Sequence, residues 1–121
     1  MAEKRPGLTT HVLDTARGRP AAGLAVELWR LPVAGDPELV VATVLNADGR
    51  AEPPLLAEAD FAAGTYELRF FVGDYFRSAG LAADPAFLDV VPVRVTLAAG
   101  EGHYHVPLLA SPFGYTTYRG S

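Results

Sequence analysis

Gly64-Thr-Tyr-Glu-Leu-Arg-Phe-Phe-Val-Gly-Asp-Tyr-Phe-Arg-Ser-Ala-Gly80 carries the strongest secondary-structure signal in the chain. Thr65 to Val72 is its clearest strand. Asp74 to Gly80 reads as one short helix, with Asp74 as N-cap and Gly80 as the residue just past its end. On the N-terminal side, residues 24–31 have the propensity of a short helix. The flanking turns and the alternation of Leu24, Val26 and Leu28 favour a strand instead. Pro32 to Pro37 form a loop, and Leu39 to Leu45 a further strand.

The turn Asn46-Ala-Asp-Gly-Arg50 puts Gly49 where a positive φ is needed. Pro53-Pro54 can only border a sheet. Residues 55–62 are irregular or a helical turn. Residues 7–14 are β-branched and roughly alternating: Leu8, Thr10 and Val12 share one face, and Thr9, His11 and Leu13 the other. Arg17 to Pro20 is read as a turn. Beyond the helix, Pro85 breaks the chain and Val90 to Leu97 is a strand with Pro92 near its start. Further strands follow at 103–110 and about 113–119, separated by Ser111-Pro112. Seven or eight short strands with one short helix pack naturally as an all-β sandwich. Residues 7–121 are expected as a single domain, behind a disordered tail over residues 1–6.

Composition agrees. In 121 residues, ten prolines and twelve glycines punctuate the chain at short intervals, which favours short strands over long helices. The net charge is −4 and the ten Lys and Arg residues are scattered, which argues against nucleic acid or an anionic membrane as partner. There is no cysteine, hence no disulfide and no thiolate chemistry. No apolar stretch reads as a leader or a membrane span, and a cytoplasmic setting fits.

Classical nucleophile sets are missing: there is no Gly-x-Ser-x-Gly elbow and no phosphate-cradling glycine loop. The chemistry then falls to histidine and arginine. There are three histidines. His11 lies mid-strand and by itself reads as a surface or barely buried residue. His103 and His105 are two apart on one strand and face the same way. Such a pair could hold a metal, but neither cysteine nor a well-placed carboxylate completes the set, so no metal or cofactor is expected. Arg50, taken alone, is an exposed turn arginine. Direct attack by water, with histidine as base, is the simplest remaining mechanism.

Three segments, in order, resemble one family. They are Gly7-Leu-Thr-Thr-His-Val-Leu-Asp-Thr-Ala-Arg-Gly-Arg-Pro-Ala21, the Gly64–Phe76 segment, and His103 to Ser121 with its ending Tyr118-Arg-Gly-Ser121. Together they resemble the 5-hydroxyisourate hydrolases, the enzyme branch of the transthyretin-like family. Phe113, Thr116 and Ala110 depart from the usual pattern without removing a polar group that would be assigned to the chemistry. The resemblance implies a transthyretin-like β-sandwich and hydrolysis of the substrate's six-membered ring at an acyl–nitrogen bond. It assigns His11, Arg50 and His105 to catalysis and Tyr118, Arg119, Gly120 and Ser121 to substrate binding, with His103 peripheral. It further implies a homotetramer, a dimer of dimers with pockets in the channel between dimers. The alternative is a carrier of an aromatic small molecule in that channel. The pocket histidines, Arg50 and the terminal tetrapeptide favour the enzyme. A secreted adhesive module fits less well, because signal peptide, cysteine and linker are all absent from the sequence.

Overall fold

The computed structural model describes residues 5–121. Strands β1 (Gly7–Asp14), β2 (Arg19–Pro20), β3 (Ala25–Leu31) and β4 (Glu38–Val44) precede a single turn of 3-10 helix at Glu58–Asp60. Then come β5 (Gly64–Phe70), helix α1 (Val72–Ser78), β6 (Val91–Leu97), β7 (His103–Ser111) and β8 (Gly114–Thr117). Two four-stranded sheets form, in the orders β2-β1-β7-β8 and β4-β3-β5-β6. The expected all-β sandwich with one short helix is the observed architecture.

Alternation builds the core. On β1, Leu8, Thr10, Val12 and Asp14 point inward and are essentially inaccessible. Leu8 and Val12 join one buried apolar cluster with Val26, Leu28, Leu68 and Phe70 of the other sheet and Leu108 of their own. Burying each large apolar side chain contributes about 1.5–3 kcal/mol. The two polar members are satisfied, as burial requires. Thr10 donates to the Val106 carbonyl at 2.7 Å. Asp14 accepts from the Arg17 backbone at 3.0 Å, from Arg17 Nε at 2.9 Å and from the Tyr75 hydroxyl at 2.8 Å. Burial pushes the Asp14 carboxyl up, yet these hydrogen bonds outweigh it and hold the group below the usual carboxylate value.

Three expectations are corrected. Asp74 is not the N-cap: α1 starts at Val72, capped by Phe71 without a side-chain bond. Buried Val72 and Phe76 set where the helix begins, and Asp74 sits in its first turn, paired with Arg77. Accordingly β5 ends at Phe70 rather than Val72. Arg19 and Pro20, read as a turn, pair with Asp14 and Leu13 as a short edge strand. The last strand ends at Thr117, so the terminal tetrapeptide lies beyond it. Gly80, at φ 73°, does follow the helix. Most of the expected N-terminal tail lies outside the described residues, and Arg5 sits 3.8 Å from Glu58.

Candidate active site

Strand β1 runs parallel to β7, with Gly7 opposite His103, Thr9 opposite His105 and His11 opposite Pro107. Partners across a ladder share a face. With Leu8, Thr10 and Val12 committed to the core, Thr9, His11, His103 and His105 all stand on the outer face of this sheet. The Thr9 hydroxyl oxygen is 2.8 Å from His103 Nε2 and 2.8 Å from His105 Nδ1.

Arg50 reaches this face through the Asn46–Arg50 turn. The Asn46 side chain accepts from the backbones of Asp48 at 2.9 Å and Arg50 at 3.1 Å. Gly49, at φ 73°, lies against β1, and its carbonyl accepts from Val12 N at 2.9 Å. A Cβ at Gly49 would come 2.6 Å from the Val12 carbonyl oxygen, so only glycine lets the turn ride on the strand. Arg50 is thereby bridged to His11.

The charge balance follows from this packing. Partial burial, and then the Arg50 guanidinium, lower the pKa of His11 below the usual 6.5, with the backbone and charge of Asp48 opposing. His105 is lowered by burial first, then by Arg50, His11 and His103, while a backbone hydrogen bond with Thr9 opposes. Both rings are therefore neutral near pH 7 and able to accept a proton.

The tail divides by function. The Thr117 hydroxyl donates to the Pro107 carbonyl at 2.8 Å, and Gly120 N donates to the His105 carbonyl at 2.7 Å. A Cβ at Gly120 would lie 2.6 Å from His105 Cδ2, so the chain crosses the imidazole at a distance only glycine permits. Ser121, the next residue, is exposed. Arg119 points elsewhere: its guanidinium stacks 4.1 Å from the Tyr104 ring and 4.0 Å from Glu101. Tyr104 is buried on the face of β7 opposite the histidines. Tyr118 and Arg119 line a cavity of about 350 Å3 with Val93 to Leu97, Tyr104 and Val106, at the open edge between the sheets.

Of the residues singled out in the sequence, the fold thus brings His11, Arg50, His105 and Gly120 together with His103. Tyr118 and Arg119 flank the neighbouring edge. Thr9 was not among them. Alternation put it on the His11 face, but nothing local shows which groups its hydroxyl meets.

The HIUase/Transthyretin family model matches residues 8–120. 5-Hydroxyisourate hydrolase 2 of Rhizobium meliloti is 60% identical over 116 residues, covering 94% of this chain and 95% of its own. The solved structure of Klebsiella pneumoniae 5-hydroxyisourate hydrolase superposes with a TM-score of 0.77 at 33% identity, covering 94% of this chain and 98% of that one. Sea bream transthyretin, solved in complex with thyroxine, has a TM-score of 0.85 at 30% identity, with 93% of each chain covered. A match over so much of the length places this chain in the HIUase/Transthyretin family.

Proposed function

We propose that the chain hydrolyses 5-hydroxyisourate to 2-oxo-4-hydroxy-4-carboxy-5-ureidoimidazoline, a step of urate degradation. The observation that carries the reading is the convergence of two imidazoles and one guanidinium on a single sheet face. His105 Nε2 takes a proton from water, and the hydroxide attacks a ring amide carbonyl. Arg50 hydrogen-bonds the developing oxyanion, where a planar donor pair suits a flat, amide-rich ring. His11, held beside Arg50, orients substrate or water from the opposite side. The ring C–N bond then breaks, and the leaving nitrogen receives a proton. General-base catalysis contributes about 10²–10⁴-fold and an oxyanion donor about 10²–10³-fold. The name of the Rhizobium meliloti relative supports the same reaction.

In the tail, Gly120 docks against His105 and so sets Ser121 beside the substrate. Tyr118 and Arg119 bind substrate less directly: Arg119 anchors the segment through Tyr104 and Glu101. The working form is a tetramer, a dimer of dimers, in which this open face becomes a channel wall, and the setting is cytoplasmic. The carrier alternative requires no base and leaves the paired imidazoles without a task. The test is the decay of freshly generated 5-hydroxyisourate, followed by ultraviolet absorbance. Added protein accelerates it, and a chelator leaves the rate unchanged. Decay no faster than in buffer would contradict the enzyme reading, and loss of activity on chelation would contradict the metal-free mechanism.

A further inference from the structure

We propose that Thr9 is a proton-relay residue that links His105 to the solvent-exposed His103, making His103 the outlet for the proton taken from water. The proposal rests on the reading of His105 as general base.

A hydroxyl group has one proton. Placed 2.8 Å from a nitrogen of each ring, it donates to one and accepts from the other. The two rings are therefore locked into complementary tautomers. In one arrangement His105 Nδ1–H donates to Thr9, and Thr9 donates to His103 Nε2. His105 Nε2 then keeps its lone pair. This is the arrangement a general base requires. The other arrangement leaves a proton on His105 Nε2, which is what the departing ring nitrogen requires.

Catalysis converts the first arrangement into the second. Water gives a proton to His105 Nε2 and becomes the attacking hydroxide. His105 Nδ1 passes its proton to Thr9 Oγ1, and Thr9 passes its own to His103 Nε2. His103 releases its Nδ1 proton to solvent. Both rings end neutral, and the hydroxyl is restored. When His105 Nε2 later protonates the leaving nitrogen, the same chain runs backwards with a proton from solvent, which resets the site.

Three features support this path. The charged form of His105 is disfavoured by burial and by Arg50, with His11 and His103 adding to the effect and only the Thr9 backbone opposing it. A route that avoids storing the charge on this ring lowers the barrier. Two glycines define the ring positions: Gly120 borders His105 Cδ2, and a Cβ on Gly7 would lie 3.1 Å from His103 Nδ1 and 3.3 Å from the Leu56 carbonyl. Thr9 itself is stiff about χ1 and sits on a strand paired along its length with β7.

The test uses Thr9→Val, Thr9→Ser, His103→Gln and His105→Asn in the full chain, each checked for an unchanged circular dichroism spectrum. Val keeps the shape and the strand preference but removes the hydroxyl. The expected result is a fall in kcat of about 10–100-fold with KM nearly unchanged, a part of what general-base catalysis contributes. Thr9→Ser restores the rate to within a few-fold, and His103→Gln falls as Thr9→Val does. A proton inventory in mixed light and heavy water is curved for the parent and linear for Thr9→Val. Full kcat in Thr9→Val, or an unchanged curved inventory, overturns the relay. If Thr9→Val were to perturb the fold, full kcat in His103→Gln would overturn it by itself. His105→Asn separates the two levels: an active His105→Asn sinks the base assignment, whereas an inactive one alongside a fully active Thr9→Val sinks the relay alone.

Discussion

At the scale of single residues, glycines do as much to shape the site as the groups that perform chemistry. Gly49 lets a turn lie on β1 and so delivers Arg50 to His11. Gly120 lets the tail cross His105 with no room for a methyl group. The substitution Gly120→Ala therefore has a definite consequence. Its Cβ, 2.6 Å from His105 Cδ2, forces either the tail to lift or the imidazole to turn. A displacement of about 1 Å at a reacting group can cost on the order of 10²-fold. We expect kcat/KM to fall by about tenfold or more while the melting temperature hardly changes, because Gly120 lies outside the strands and the core. Steady-state kinetics beside a thermal melt checks this, and unchanged kcat/KM would show that the tail does not position His105. The sequence offered a cue for Gly49, through turn chemistry, but none for Gly120, because its constraint comes from a ring fifteen positions away.

At the scale of elements, legibility tracks locality. The alternation of β1 was readable because it is written within eight residues. The same pattern correctly put Thr9 and His11 on one face. What could not be read is the parallel pairing of β1 with β7, which joins residues 96 apart and alone decides that Thr9 meets His105. Propensity and turn signals describe a strand, not its partner. The grouping of His11, Arg50 and His105 was accordingly legible only through family resemblance. The helix start failed for a related reason. A local cap signal at Asp74 was outweighed by the burial of Val72 and Phe76, and tertiary packing routinely overrides propensity of that size. Arg19 and Pro20 likewise look like a turn by composition and become strand by pairing with Leu13 and Asp14.

At the scale of the whole molecule, the single chain leaves surfaces that an assembly would use. Strands β6 and β8 are the outermost of their sheets and flank one edge, and unpaired edges of this kind invite pairing. Phe87 and Phe113 are 74% and 77% exposed with their rings 5.7 Å apart, a larger apolar display than scattered surface residues make. Under the proposed assembly, light scattering returns a mass near four times 12.8 kDa. A fully active species with the mass of one chain would contradict it.

The account as a whole turns on a neutral histidine acting beside Arg50, and the pH dependence of kcat/KM measures that directly, in the parent protein and in Arg50→Gln. Protonation removes the base, so activity falls as pH drops. Because burial and Arg50 lower the ionisation of His105 and His11, the parent keeps activity below the usual imidazole value of 6.5 and loses it in a more acidic limb. Removing the guanidinium relieves the repulsion of the imidazolium, so in Arg50→Gln the acid limb moves to higher pH, on top of a lower overall rate. A profile that stays flat down to about pH 5 in both proteins, or a limb that Arg50→Gln moves to lower pH, would contradict a histidine base held neutral by its surroundings.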